Sequence, residues 1–244
     1  MMKIMRRLKL RQEAFANHRP VVISFLGDSV THGCFEVFIN EHGKIDSFCR
    51  AEKAYPYLLA NELGKLFPNA RPSVINAGVA GDNAVNGRKR LERDVLFASP
   101  DLVIVNFGLN DSANPDVEGG LKAYDQAMRG IFESVLASGA ECMLVTPNFM
   151  CKYVSYHLAD EKLISIAKAV AKVQNEGILK KYVECAKKAA KDMNIPVADA
   201  YSVWESLEKT GADTTKMLSN DINHPTEEMH RIFVNEIMRV LLEG

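Results

Sequence analysis

Five short runs rich in apolar and β-branched residues recur along the chain, without the strict polar alternation of a half-exposed strand. The runs cover residues 21–26, 73–76, 102–107, 142–146 and 195–198. Strands that are apolar on both faces are typical of parallel sheets, because helices cover such sheets on each side. The pattern therefore predicts a parallel sheet of about five strands.

Segments with helical periodicity separate and follow these runs. They span residues 54–67, 86–97, 118–138, 161–193, 200–209 and 226–242, and Gly177 is expected to break or kink the fourth. Strands that alternate with helices are joined by right-handed crossovers. Because no internal repeat and no long linker divides the chain, the sequence predicts one doubly wound α/β domain.

The chain of 244 residues carries 30 basic and 31 acidic side chains, which leaves a net charge of −1. Proteins that bind nucleic acids or anionic membranes generally carry a basic patch or stripe. A balance so close to neutrality predicts neither partner. No apolar run approaches the roughly 20 residues that a membrane-spanning helix needs, so we expect no integral membrane association.

Residues 1–20 form a locally basic segment ahead of the first predicted strand. Lysine and arginine side chains interrupt every apolar stretch in it, whereas a secretory signal needs a continuous one. We therefore expect a basic N-terminal extension over residues 1–20 and a single domain over residues 21–244.

Five cysteines are scattered along the chain, and no two of them form a Cys-x-x-Cys pair. They are Cys34, Cys49, Cys142, Cys151 and Cys185. An odd number without paired spacing argues against a disulfide framework or a zinc knuckle. The cysteine pattern thus predicts free thiols and a cytoplasmic location.

Glycine and polar residues follow three of the predicted strands directly. These motifs occupy residues 27–33, 76–83 and 108–112, and a fourth motif at residues 221–225 precedes the last predicted helix. In doubly wound sheets, ligands bind beyond the carboxyl ends of the strands. We therefore expect the motifs to surround one site.

Ser29, in the first motif, is a candidate nucleophile. A hydrolytic serine needs a base for its proton and a third group that orients the base. Asp221 and His224 lie three residues apart, so the carboxylate can bond imidazole Nδ1 while Nε2 faces Ser29. The backbone N–H groups of Ser29 and Gly81 and the side-chain amide of Asn110 are candidate donors to the oxyanion.

The four motifs Gly-Asp-Ser, Asn-x-Gly-x-x-Gly, Gly-x-Asn-Asp and Asp-x-x-His, in this order, resemble those of the SGNH (GDSL-like) hydrolase family. The resemblance covers roughly residues 21–243. It implies a three-layer α/β/α sandwich with a flavodoxin-like sheet, and an esterase that works through a catalytic triad and an oxyanion hole. On this chain it assigns the triad to Ser29, Asp221 and His224, and the hole to Ser29, Gly81 and Asn110.

Structural roles compete with catalytic ones at several of these positions. Ser29 would also suit a helix cap, Asp111 a local cap and Gly78 a turn. We expect Asp28 to hold its loop by accepting backbone N–H groups, and His32 to be structural. Since no histidine shows metal-ligand spacing and no complete Gly-x-Gly-x-x-Gly loop occurs, we expect no metal and no cofactor.

The partner expected from this set is a small-molecule ester. The family resemblance, the His224–Pro225 step and the polar residues Asp82, Asn83 and Asn86 favour short acyl esters, above all O-acetyl groups on a carbohydrate. A lysophospholipase or thioesterase is the alternative within the same chemistry, and a catalytically dead flavodoxin-like binding module is the alternative outside it. Residues 149–157 are expected to form the wall that shapes the substrate site.

Overall fold

A computed structural model describes residues 2–243, in which five parallel strands form the central sheet. Two further strands, β2 and β3, form a separate hairpin. Numbered along the chain, the strands are β1 (Val22–Gly27), β2 (Cys34–Ile39), β3 (Ile45–Cys49), β4 (Ser73–Gly78), β5 (Leu102–Asn106), β6 (Glu141–Val145) and β7 (Val197–Ala198). The order across the sheet is β4-β1-β5-β6-β7. Counting only these five strands, the order 2-1-3-4-5 is the flavodoxin-like one, and the predicted fold class is confirmed.

Helices cover both faces of this sheet. They are α1 (Lys3–Glu13), α2 (Ser29–His32), α3 (Tyr55–Leu66), α4 (Ala84–Asp94), α5 (Val117–Ala137), α6 (Glu161–Asn175), α7 (Ile178–Asp192), α8 (Ala200–Lys209) and α9 (His230–Glu243). Apolar side chains of α4, α5 and α7 form one core, and those of α1, α3, α6, α8 and α9 form the other. Among residues 2–243, no helix has both the length and the apolar character that crossing a bilayer requires.

The predicted helix boundaries agree with the structure to within a few residues, with one larger difference. Gly177, at a φ of 70°, separates α6 from α7 as expected. The last helix begins at His230 rather than near residue 226. The preceding residues Leu218 and Pro225 form an isolated antiparallel bridge, which holds that part of the chain in a loop.

The basic N-terminal segment is part of the packed structure. Ile4, Met5 and Leu8 of α1 are buried in one of the two cores. The carboxylate of Glu141 accepts the N–H groups of Lys3 and Ile4 at 2.7 Å each and so satisfies two free donors at the start of α1. The segment is therefore docked onto the sheet, while the boundary at residue 20 stays a prediction.

The hairpin formed by β2 and β3 is absent from the sequence prediction. Beyond the buried Cys34 and Phe35, its residues are half-buried or exposed, and polar side chains interrupt the apolar ones in both strands. Cys34 and Cys49 lie directly opposite each other in its register and are joined by a disulfide bond. The expectation of unpaired cysteines is therefore wrong for this pair, because a pairing across two strands leaves no Cys-x-x-Cys signature.

Candidate active site

Ser29 lies at the carboxyl end of β1, as the first residue of α2. Asp28 caps this short helix: its carboxylate accepts the N–H of Val30 at 3.0 Å, which confirms the structural role expected of it. Burial raises the pKa of Asp28 to about 7. Because Ser29 begins the helix, its own N–H has no partner within it and is available to a ligand.

His224 meets Ser29 from the far end of the chain. Nε2 of the imidazole lies 2.8 Å from Oγ of Ser29, and both side chains are buried. Nδ1 lies 3.2 Å from the main-chain carbonyl oxygen of Phe35. Since the carbonyl only accepts, Nδ1 carries the proton and Nε2 is free to accept from Ser29. Burial lowers the pKa of His224 to about 4, which keeps the ring neutral.

Asp221, expected to orient His224, makes no hydrogen bond with it among residues 2–243. Its carboxylate instead lies 3.7 Å from Nδ1 of His157, and its backbone adopts a left-handed conformation with a φ of 56°. Sequence reasoning therefore missed Phe35, whose contribution is a main-chain oxygen. An atom that every residue possesses leaves no signal in a sequence.

The two predicted oxyanion donors outside α2 face the same pocket as Ser29 and His224. Gly81 has a φ of 74°, a conformation that glycine adopts without strain, and its N–H has no partner within residues 2–243. A Cβ at this position would meet no atom of the protein within 4 Å, so it is the positive φ that requires the glycine. Asn110 donates one amide hydrogen to the carbonyl of Asp82 at 2.8 Å, and its second hydrogen remains for the pocket.

Two neighbouring positions have structural roles. Asp111 accepts the N–H of Ala84 at 3.0 Å and thereby caps α4, and burial raises its pKa to about 6. Gly78 ends β4 where a Cβ would come within 2.2 Å of the backbone nitrogen of His32. Gly78 therefore permits close packing of β4 against α2, which differs from the turn role expected of it.

The pocket beside Ser29 has a volume of about 220 Å³ and is largely apolar. Val37 and Ile45 of the hairpin form one wall, and Leu163 and Ile166 of α6 form another. No residue of segment 149–157 lines it, and residues 149–151 are buried in the core instead. The expectation that this segment shapes the substrate site is therefore not met.

One cluster has side chains of metal-ligand type. Ligand atoms of His32, Cys34 and Cys49 lie within 4.8 Å of one another. Metals bind cysteine as the thiolate. The sulfurs of Cys34 and Cys49 are joined to each other, so this cluster does not offer a ligand set. The expected absence of a metal stays a prediction.

Comparison with known proteins assigns most of the chain to one family. Residues 25–232 match the GDSL-like lipase/acylhydrolase family. No curated protein matches the sequence.

Solved structures of esterases share the fold at low sequence identity. A two-domain esterase (CEX) active on acetylated mannans superposes with a TM-score of 0.66 at 21% identity, over 97% of this chain and 52% of its own, so this chain spans about half its length. A catalytic mutant of Axe2, an acetylxylan esterase from Geobacillus stearothermophilus, gives a TM-score of 0.66 at 18% identity, over 91% and 94% of the two chains. The acetyl xylan esterase AlAXEase gives 0.65 at 18% identity, over 89% and 98%.

Proposed function

This chain belongs to the GDSL-like lipase/acylhydrolase family of carboxylic ester hydrolases, and we propose that it is a serine esterase that removes short acyl groups, foremost O-acetyl groups from a carbohydrate. The contact of 2.8 Å between Nε2 of His224 and Oγ of Ser29 carries this proposal. It is the contact through which a base takes the proton of a nucleophilic serine.

In the proposed reaction, Ser29 attacks the ester carbonyl while Nε2 of His224 takes its proton. The N–H groups of Ser29 and Gly81 and the amide of Asn110 stabilise the negative charge on the tetrahedral intermediate. The imidazolium then returns the proton to the leaving alcohol. A water molecule attacks the acyl enzyme by the same steps and releases the acid. Asp221 is predicted as the third member of the triad, but no contact with His224 supports that role.

The size of the pocket supports a short acyl group. A volume of about 220 Å³ lies below the roughly 300–1,000 Å³ of sites that enclose drug-sized ligands. The structural neighbours include an esterase active on acetylated mannans and an acetylxylan esterase, which favours a sugar as the alcohol. Two of the polar residues that favour a carbohydrate ester in the sequence have partners within the chain, since Asp82 pairs with Arg90 and Asn83 caps α4.

A panel of esters tests the proposal. Acetate release from acetylated xylan and acetylated mannan is measured beside hydrolysis of p-nitrophenyl esters from acetyl to palmitoyl, with Ser29→Ala as the matched control. We expect acetyl above butyryl, little activity beyond about eight carbons, and none in the Ser29→Ala variant with its melting temperature retained. Full activity of Ser29→Ala would contradict the proposal.

The alternatives give different results in the same experiments. The apolar walls of the pocket favour the lysophospholipase or thioesterase alternative, which requires preference for long acyl chains or for thioesters. A catalytically dead binding module would leave Ser29 unlabelled by a fluorophosphonate probe, whereas an esterase is labelled at that residue. The cytoplasmic location was predicted from unpaired cysteines, and the Cys34–Cys49 disulfide removes that support. The location stays an untested prediction.

A further inference from the structure

We propose that the main-chain carbonyl of Phe35, rather than the carboxylate of Asp221, orients the catalytic histidine, so that Ser29 and His224 act as a dyad on a backbone oxygen. The inference rests on the proposed esterase function and concerns how its base is positioned. Its central observation is that Nδ1 of His224 lies 3.2 Å from the Phe35 oxygen while Nε2 faces Ser29.

The loop before His224 turns Asp221 away. The side-chain oxygen of Asn220 accepts the N–H groups of Ile222, Asn223 and His224, at 2.9 to 3.0 Å. These three bonds hold the loop in a tight turn around Asn220. Within this turn Asp221 adopts a left-handed conformation, with a φ of 56°. The carboxylate that the sequence spacing assigns to His224 lies beside His157 instead.

The carbonyl of Phe35 is available because of a bulge in the hairpin. Cys34 pairs with Cys49 and Glu36 pairs with Phe48, and the register shifts between Cys34 and Glu36, which leaves Phe35 without a partner on the opposite strand. Bulges commonly redirect a group next to an active site. Here the released oxygen points to the loop that carries His224.

A second donor and the surrounding side chains hold this oxygen in place. Oγ of Ser219 donates to it at 2.8 Å, so both lone pairs of the carbonyl are used. The ring of Phe35 is fully buried, with its centroid 5.1 Å from that of His230. The Cys34–Cys49 disulfide ties the two strands together immediately beside the bulge.

This arrangement orients the histidine base before the reaction, but it stabilises the imidazolium that forms during the reaction only weakly. A bond from Nδ1–H to a carbonyl selects the tautomer with Nε2 unprotonated and fixes the ring plane. A carbonyl is a dipole rather than a charge, so it stabilises the imidazolium less than a carboxylate does. Phe35 is thus a positioning residue that acts through His224.

Replacement of Asp221 distinguishes the two arrangements. We expect Asp221→Asn to keep kcat/KM within about 10-fold of the native enzyme, against the roughly 10⁴-fold loss of kcat that follows when a triad aspartate is replaced by asparagine. Asp213→Asn, which removes another carboxylate near Tyr153, is the matched control. Nitrogen-15 spectra of the histidines at pH 7, with His224→Gln for assignment, should show protonated Nδ1 in both native enzyme and Asp221→Asn.

A second experiment weakens the Phe35 carbonyl as a hydrogen-bond acceptor, which should lower the rate. Incorporation of the α-hydroxy analogue of glutamate at position 36 turns the Phe35–Glu36 peptide bond into an ester, whose carbonyl is a poorer acceptor. We expect kcat to fall about tenfold, the scale of one charged hydrogen bond, with KM and melting temperature nearly unchanged. The same analogue at Glu41, in the exposed turn of the hairpin, should leave kcat unchanged.

A loss of 10³-fold or more in Asp221→Asn, a protonated Nε2 in the native enzyme, or an ester at position 36 that turns over normally would each overturn the inference. These results differ from failure of the proposed function. If Ser29→Ala stays active, the esterase assignment fails. If Ser29→Ala is inactive and Asp221→Asn is crippled, only the role of Phe35 fails.

Discussion

The imidazole of His224 and the hydroxyl of Ser29 meet at 2.8 Å where only 3% and 4% of the two residues are exposed. His230, fully buried nearby, has its pKa lowered to about 3 and adds no positive charge at neutral pH. The base is thus neutral at rest, and the positive charge it gains in the reaction forms away from water.

The pH dependence of turnover follows from this burial. A lowered pKa keeps the imidazole neutral to a lower pH, so kcat/KM should hold its plateau as the pH falls from 8 and decline with a midpoint near 4, the value expected for His224, instead of near 6.5. Initial rates with p-nitrophenyl acetate, on enzyme shown to stay folded by its fluorescence, measure the profile. A single inflection near 6.5 would contradict the buried, carbonyl-bonded base.

Asp28 predicts a pH-dependent stability. Its folded pKa is about 7 against 3.8 for the free side chain. Between these two values the unfolded carboxyl is ionised and the folded one is not, so the protein loses stability as the pH rises from about 3.8 to about 7, and the loss is complete above 7. Asp28→Asn keeps the acceptor for Val30 and removes that cost. Relative to the native enzyme, the variant should gain on the order of 4 kcal/mol between pH 4 and pH 9, at 1.36 kcal/mol for each pKa unit.

Urea unfolding at pH 4.5, 7 and 9 gives this difference in the free energy of unfolding. The same variant also assigns any second inflection in the pH–rate profile, because an inflection near 7 that belongs to Asp28 disappears with it. A stability difference that does not change with pH would show that Asp28 stays ionised in the folded protein throughout.

Variants of Asn110 and of its neighbour Asp111 distinguish a catalytic role from a structural one. Asn110→Ala should lower kcat by about 10²–10³-fold with KM nearly unchanged, because it removes a donor that acts on the transition state. It also loses the bond to Asp82, so a stability loss of about 1 kcal/mol is expected. Asp111→Ala removes the cap of α4 and should cost about 1 kcal/mol with kcat retained.

Steady-state kinetics and thermal melts on both variants make the comparison. If Asn110→Ala turns over normally, the amide is not an oxyanion donor and the hole depends on the two main-chain N–H groups. If Asp111→Ala loses kcat at an unchanged melting temperature, the structural role assigned to Asp111 is wrong.

The disulfide gives a redox-dependent stability. A bond between residues separated by 15 positions restricts the unfolded chain and contributes about 3 kcal/mol. Cys34→Ser with Cys49→Ser should therefore lower the free energy of unfolding by that amount, and a reductant should do the same to the native protein but not to the double variant. Cys185→Ser, which changes a cysteine outside the bond, is the control. Titration of five thiols in the denatured, unreduced protein would show that the bond does not form.

The central sheet is predictable from the sequence because burial on both faces requires continuous apolar strands. The runs that become β1, β5 and β6 show this directly, and the glycine between α6 and α7 marks the break in the helical pattern. The motifs after the strands are predictable as one site for a topological reason, since parallel strands place their carboxyl ends at one edge. Ser29, Gly81, Asn110 and His224 all reach the same pocket.

Only the tertiary structure decides which atom His224 faces at Nδ1. Spacing along the chain brings Asp221 near, but the capping by Asn220 turns it away, and the sign of a φ angle cannot be read from residue spacing. Beyond Phe35, the hairpin that supplies that residue's carbonyl is half-buried or exposed, and polar residues interrupt both of its strands. A backbone oxygen has no residue type of its own, and its role arises only where a bulge and a loop, 189 residues apart in the chain, come into contact.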